Sequence, residues 1–315
     1  MIRTARLRAC AKLNLGLRVL YKRPDGYHEL RTVFQTISLA DILDVSFERA
    51  RKTTVVIEGT PEIPDNLVEK ATRLAMEVMR IHGNVRFNLK KHIPSGAGLG
   101  GGSSDAAAVL LALPVLAGKI VPSDRLAAIA AQLGSDVPFF LQGGTALGLG
   151  RGEEIYPLPS QKVRYALVVS PGVHSSTAEA YRGVSERLTS IPLQNKLQSF
   201  QQSLWNYGIR VCMDDNDFEP VVFARHPELG KIKTRLLRAG ATAAAMTGSG
   251  SSLFGIFPDA ATLEGAGQSF RREKACPVSF LNATQYRKAW YRALRYHISP
   301  ETIEENLWPP RSVHA

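Results

Sequence analysis

Apolar and polar positions alternate through residues 9–20. Leu13, Leu15, Leu17 and Val19 fall on one side, and Lys12, Asn14, Gly16 and Arg18 on the other. A two-residue period of this kind predicts a strand, with Lys12 and Asn14 together on the face away from the core. Arg23-Pro24-Asp25-Gly26 then reads as a turn, because proline fixes φ and glycine accepts a positive one. Further strand-like runs follow at about 32–38, 42–47 and 53–57. Residues 66–81 have the 3.6-residue period of an amphipathic helix, with Leu67, Lys70, Ala71, Leu74, Ala75 and Val78 near one stripe. Val85, Phe87 and Leu89 alternate with Arg86, Asn88 and Lys90, which predicts a strand buried on one face.

A helix is predicted from about Ser104, kinked or ended near Pro114. Ser123 reads as the N-cap of a helix running to Leu133, with Gly134 in the stop position. Residues 143–150 form a flexible glycine-dense connection into a strand, and 163–170 form another strand. The second half adds a helix over 227–239, an alanine-rich strand ending at Met246, and its hairpin partner over 253–257. Strands and helices mix without strict alternation, so the expected fold class is α+β. The expected division is an N-terminal domain over 1–158, a C-terminal domain over 159–290 and an appended, proline-punctuated tail over 291–315.

Composition narrows this only slightly. With 44% hydrophobic and 21% charged residues, the chain is an ordinary globular one and wholesale disorder is excluded. The longest apolar run, 106–117, is shorter than the roughly 20 residues of a membrane span. Cys10, Cys212 and Cys276 lie far apart, which indicates neither a disulfide framework nor a zinc knuckle and fits a cytoplasmic location. The net charge of +11 is scattered, with no long basic block and no RNA-binding aromatic signature. It is compatible with nucleic acid, acidic membrane or phosphorylated small molecules. The Arg-rich opening is set aside as a transit peptide because strand pattern begins by about Leu7.

The strongest chemical signal is the run Pro94-Ser95-Gly96-Ala97-Gly98-Leu99-Gly100-Gly101-Gly102-Ser103-Ser104, followed directly by Asp105 and an apolar helix. Such glycine density is entropically poor in a packed element and implies close approach of backbone to a ligand. The free N–H groups and positive dipole end of the helix behind it make an anion cradle, to which Ser103 and Ser104 can add hydroxyls or helix caps. A mobile linker in front of a capped helix is the bland alternative. Gly96, Gly98 and Gly101 satisfy G-x-G-x-x-G, but Lys90, Lys91, His92 and Pro94 separate them from an alternating strand, so a dinucleotide fold is disfavoured. No Lys-Ser or Lys-Thr closes the run, which excludes a Walker loop.

That run resembles the phosphate-binding motif of the GHMP kinases, small-molecule kinases named for galactokinase, homoserine kinase, mevalonate kinase and phosphomevalonate kinase. Four further segments occur in the order of one branch of this family: AKLNLGL from Ala11, RPDGYHEL from Arg23, LGSDVPFFLQGG from Leu133 and MTGSGSSLFG from Met246. The similarity covers about 9–257. It implies a two-domain architecture, an N-terminal mixed domain with the phosphate loop and a C-terminal α/β sandwich, and ATP with Mg²⁺ as cofactors. Residues 94–104 would hold the nucleotide. Lys12, otherwise an ordinary solvated lysine, would stand in the active site and stabilise the transferring phosphoryl group. Asp136, which sequence alone would make a helix N-cap, would orient the acceptor hydroxyl and take its proton late.

The resemblance also implies that Asn14 helps to hold the substrate. Tyr27 would stack on a cytosine ring, His28 would hydrogen-bond it, and Tyr181 would supply the opposing aromatic ring with Thr177 nearby. Gly248 belongs to a second small-residue loop, otherwise a simple hairpin turn, which would shape the substrate cleft. The metal ligands are not specified, Ser104 being only a candidate contact. The expected activity is phosphoryl transfer from ATP to a hydroxyl of a cytidine-diphosphate-linked polyol, by a monomer or weak homodimer with no nucleic-acid or membrane partner. Rival readings are a relative acting on homoserine, mevalonate or a sugar, and a non-catalytic nucleotide- or RNA-binding protein.

Overall fold

A computed structural model describes residues 1–61, 63–160, 162–187, 193–207, 216–271 and 273–298. Its backbone is organised by one long hairpin. Strand β1 (Arg3–Lys22) pairs antiparallel with β2 (His28–Arg49), from Arg3 opposite Phe47 to Lys22 opposite His28. The separate strands expected at 32–38 and 42–47 are therefore one strand, since no glycine or proline interrupts 28–49. Register shifts at Cys10/Lys12, Asn14/Leu17 and Val19/Tyr21 bend it.

Strands β3 (Thr54–Glu58), β4 (Gly83–Lys90), β5 (Thr145–Leu149) and β6 (Glu154–Pro157) complete the first sheet, in the order β3-β4-β2-β5-β6 with β1 also on β2. The connection expected to be flexible at 143–150 thus contains a strand, paired with β2 over Thr32 to Gln35. Helix α1 (Leu67–Val78) makes the crossover between the parallel strands β3 and β4, and the Asn66 side chain caps it by accepting from the Val68 N–H at 3.0 Å. Its buried residues are Val68, Ala71, Thr72, Ala75 and Met76, while Val78 is exposed, so the core stripe is rotated from the expected one.

Helix α2 (Gly101–Ala117) runs through Pro114 rather than ending there. All fourteen residues from Ser104 to Ala117 are buried, and apolar burial of that extent outweighs the roughly 3 kcal/mol that an interior proline costs. Helices α3 (Ser123–Leu133) and α4 (Val137–Gln142) pack beside it; Ser123 begins α3 without capping it.

The second sheet is fully antiparallel. Its order is β10-β7-β9-β8, from β7 (Ala166–Ser170), β8 (Ala243–Met246), β9 (Leu253–Ile256) and β10 (Lys274–Val278). Helices α5 (Thr177–Arg187), α6 (Leu193–Tyr207), α7 (Glu219–Arg225), α8 (Pro227–Arg238) and α9 (Ala260–Ser269) accompany it. Leu167, Val169, Leu229 and Leu236 share one core on one face. On the opposite face Val168, Ala245 and Phe254 meet Leu13 and Leu15 of β1 and Ala97 and Leu99 of the glycine run. This middle core joins the two sheets in an α+β fold.

Helix α10 (Ala283–Leu294) corrects the expected boundary at 290. It opens with a reciprocal capping box between Asn282 and Gln285. Tyr286, Trp290, Leu294 and Ile298 are buried in the core of the first sheet, so residues 291–298 belong to that core and are no tail. The remainder of the expected tail, and Cys212, lie outside the described residues. No helix among the described residues is long and apolar enough to cross a membrane.

Candidate active site

The glycine run takes its shape from an alternation. Gly96, Gly98 and Gly100 have φ of 63°, 76° and 70°, a region that side chains rarely adopt. Between them Ala97 and Leu99 point into the middle core. A Cβ on Gly98 would lie 2.1 Å from the Thr247 carbonyl oxygen, so no larger residue fits there. The run is tied down on both sides: the Lys12 N–H donates to the Leu99 carbonyl at 3.0 Å, the Ser252 N–H to the Ala97 carbonyl at 3.2 Å, and the Thr247 hydroxyl to the Gly98 carbonyl at 3.2 Å. Gly100 occupies the N-cap position of α2 without a side-chain cap. The backbone amides of the first turn of α2 are thus free to bind an anion. Ser103 faces the cleft, but Ser104 does not cap the helix or face it: its buried hydroxyl donates to the Cys10 carbonyl at 2.7 Å. The expected Ser104 contact with phosphate or metal is corrected accordingly.

Lys12 and Asn14 share a strand face, as their spacing predicts, but both are buried, with only 3% exposure. The face expected to point to solvent is roofed by the glycine run and the second sheet. Lys12 Nζ donates to Asn14 Oδ1 at 2.5 Å, lies 3.3 Å from Asp136 Oδ2, and stands 5.5 Å from the centre of the Phe34 ring. Asn14 is itself fixed, its Nδ2 donating to the Thr32 hydroxyl at 2.8 Å and its N–H to the Thr247 hydroxyl at 3.0 Å. Asp136 occupies the N-cap position of α4, yet it has helical φ and ψ and its side chain makes no capping bond. The carboxylate faces the cleft instead.

These groups line a cleft of about 1030 Å³ between the sheets. Tyr27, His28, Thr177, Tyr181 and Gly248 line it too, so every expected acceptor-side residue meets in one place. Their arrangement differs from the sandwich foreseen. Tyr181 stacks on His28 at 4.9 Å and 25°, while the Arg151 guanidinium lies 4.7 Å from the centre of the Tyr27 ring. His28 Nε2 is 2.6 Å from the Ser185 hydroxyl, which itself donates to the Tyr181 carbonyl. The hydroxyl proton is thereby used, so Nε2 carries the imidazole proton and Nδ1 is left as an acceptor. Burial, with Lys22 nearby, holds the His28 pKa below its ordinary value, which favours this neutral form. Burial also raises the Tyr181 phenol, with the Asp136 charge adding to it. Thr177 shares a hydrogen bond of 2.9 Å with the Ser249 hydroxyl, and Asn216 Nδ2 donates to the Gly248 carbonyl at 2.8 Å.

A second cavity of about 390 Å³ lies on the other side of the glycine run, lined by Asn66, Leu67, Lys91 and Pro94 among others. The two cavities share Gly96, Gly98, Gly100 and Ser103. Arg151, Ser185 and Asn216 escaped sequence reading. Arg151 alone had a signal, a charged residue flanked by Gly150 and Gly152, both with positive φ. Among the described residues no three His, Cys, Asp or Glu side chains cluster to cage a metal.

Models of the GHMP kinases N terminal domain and GHMP kinases C terminal families match residues 66–144 and 200–275. The 4-diphosphocytidyl-2-C-methyl-D-erythritol kinase of Solibacter usitatus (strain Ellin6076) is 52% identical over 314 residues, 98% of both chains. That of Geobacillus kaustophilus (strain HTA426) is 39% identical, covering 79% of this chain and 87% of its own. A crystal structure of 4-(cytidine 5'-diphospho)-2C-methyl-D-erythritol kinase superposes with a TM-score of 0.72 at 37% identity, over 87% of this chain and 98% of that one. The homoserine kinase of Cytophaga hutchinsonii, at 19% identity and a TM-score of 0.68 over 89% and 95% of the chains, shares the fold. The chain belongs to the GHMP kinases, a family of ATP-dependent small-molecule kinases, in the branch of the 4-diphosphocytidyl-2-C-methyl-D-erythritol kinases.

Proposed function

We propose that the chain transfers the γ-phosphoryl group of ATP to the 2-hydroxyl of 4-diphosphocytidyl-2-C-methyl-D-erythritol (CDP-methylerythritol), giving the 2-phosphate and ADP. The glycine run separates the two cavities, so the nucleotide would enter from the Asn66 and Pro94 side and the acceptor from the Tyr27 and His28 side. Backbone amides at the start of α2 would hold the β- and γ-phosphates. Lys12, dry and fixed by Asn14, would place its charge where negative charge gathers on the transferring group. Asp136 would accept the hydrogen bond of the acceptor hydroxyl, aim it at phosphorus and take the proton as the new bond forms.

Mg²⁺ would arrive on the nucleotide and keep several waters, which suits a cleft where no three His, Cys, Asp or Glu side chains cluster among the described residues. Ser103 and Asp136, which line the cleft, would offer it oxygen donors, and the ion would neutralise phosphate charge. His28, neutral and with Nδ1 open as an acceptor, suits the exocyclic amine of cytosine. Unpaired Cys10 and Cys276 suit a reducing cytoplasm. The observation that carries this reading is the Lys12–Asp136 pair in the cleft beside the glycine run. A coupled ADP-release assay against CDP-methylerythritol, homoserine, mevalonate and galactose tests it. Turnover with the cytidine compound alone is expected; turnover with another of these alcohols in its place would refute the assignment.

A further inference from the structure

Behind the glycine run, on the side away from the acceptor cleft, three titratable side chains form a hydrogen-bonded chain, its two carboxyl ends buried and its lysine half-buried. Asp41 of β2 is fully buried; one carboxylate oxygen accepts the His92 and Ile93 N–H groups at 2.6 and 2.8 Å, and the other accepts from the Lys91 ammonium. Lys91 Nζ also donates to Asp105 Oδ2 at 2.7 Å, in the second turn of α2. The remaining Asp105 oxygen is buried without a hydrogen-bond partner. The ammonium lies close under the helix start, since a Cβ on Gly101 would come within 3.3 Å of it.

We propose that the Asp41–Lys91–Asp105 chain is a clamp that positions the glycine loop, tying the backbone that enters the loop at Ile93 to the helix that leaves it. The inference rests on the reading of this loop as the nucleotide cradle. A buried carboxylate–ammonium–carboxylate chain is a poor source of stability, because desolvation consumes most of the attraction. What it supplies is geometry. Glycines with positive φ have no side chains with which to hold their shape, so an ordered array of amides needs both ends of the loop fixed. Asp41 lines neither of the cavities that meet at the loop, so an effect of this residue on nucleotide binding has to pass through Lys91 and the loop backbone. Asp41 is a positioning residue in this sense, whereas Lys91 itself lines the cavity on the Asn66 and Pro94 side.

The test is amide hydrogen exchange on the full-length protein without nucleotide, combined with steady-state kinetics. Asp41→Ala leaves the His92 and Ile93 amides without their acceptor, the second of them buried, and is expected to speed exchange over residues 92–101 and raise KM for ATP about tenfold, a modest part of what such a loss costs. KM for the acceptor and exchange within 106–117 should stay within about twofold, which a general loss of stability would not allow. Asp41→Asn preserves the shape and carries the same test, with a smaller effect, if the alanine variant does not fold. Unchanged loop exchange and unchanged ATP KM in the folded variants overturn the clamp. If instead a non-hydrolysable ATP analogue fails to protect the wild-type loop while Asp41→Ala still loosens it, the clamp stands and the nucleotide-cradle reading falls.

Discussion

The Lys12 ammonium lies 3.3 Å from the Asp136 carboxylate although the two come from the first strand and from the residue preceding α4. Each fixes the other: Lys12 is buried against Phe34 and Asn14, and the Asp136 side chain, unused as a cap, is turned toward it. Asp136→Ala is therefore expected to lower kcat by about 10²–10⁴-fold, the range of a general base, with KM for ATP nearly unchanged. Steady-state kinetics at saturating ATP decide this, and an active variant would remove Asp136 from the chemistry.

Gly98→Ala combines a positive φ with a Cβ placed 2.1 Å from the Thr247 carbonyl oxygen. The variant is expected to lose ATP affinity by about tenfold or more while remaining folded, because the strain falls on the loop. Gly265→Ala, in α9 with open space around the new methyl, is the control and should gain about 0.5–1 kcal/mol of stability. Fluorescence titration with an ATP analogue and urea denaturation separate the two outcomes.

Acceptor binding should fail on the acid side. The His28 pKa is held below its ordinary 6.5, first by burial and then by Lys22, so the folded protein favours the neutral ring. A depressed histidine contributes stability that is present above 6.5 and is lost as pH falls through the lower folded value. KM for the acceptor is expected to be flat above neutrality and to rise on acidification below 6.5, and His28→Gln should flatten that rise. A pH profile of kcat/KM for each substrate separately checks it.

Asp105 titrates in the opposite sense. Burial raises its pKa from 3.8 to about 7, with Lys91 opposing and Asp41 reinforcing the rise. A raised acid contributes stability that is whole below 3.8 and is lost as pH climbs through about 7. Asp105→Asn should therefore show a smaller loss of stability than wild type between about pH 5 and about pH 8 in thermal melts. An identical slope would contradict the buried, partly protonated carboxyl.

Helix α10 should be indispensable. Trp290 is buried in the core of the first sheet, and the Tyr286 hydroxyl donates to the Phe140 carbonyl at 2.6 Å, bracing the helix next to Asp136. Trp290→Ala is expected to cost about 3–5 kcal/mol by urea denaturation. A chain ending at residue 282 should not fold stably.

What could be read beforehand was what local patterning encodes. Two-residue alternation placed Lys12 beside Asn14, 3.6-residue periodicity marked α1, and the glycine run announced an anion cradle before any neighbour was known. What was missed depends on partners distant in sequence. Alternation shows that a face differs from its opposite, not that solvent covers it, so the burial of Lys12 under the second sheet was invisible. Pro114 signals a break locally, and only the packing around α2 overrides it. Residues 291–298 looked like a tail because their apolar members, Leu294 and Ile298, find their core nearly three hundred residues upstream. The clamp on Asp41 was hidden for the same reason: Asp41, Lys91 and Asp105 share no local motif.

In the proposed reaction Asp136 faces an acceptor hydroxyl across from a triphosphate held by residues 94–104. A crystal structure with a non-hydrolysable ATP analogue and CDP-methylerythritol bound together tests it most directly. The 2-hydroxyl is expected within hydrogen-bond reach of Asp136, about 2.6–3.2 Å, with the terminal phosphorus in line beyond it and the phosphates on the amides of the loop and α2. A nucleotide lodged away from the loop, or a 2-hydroxyl turned from Asp136, would contradict it.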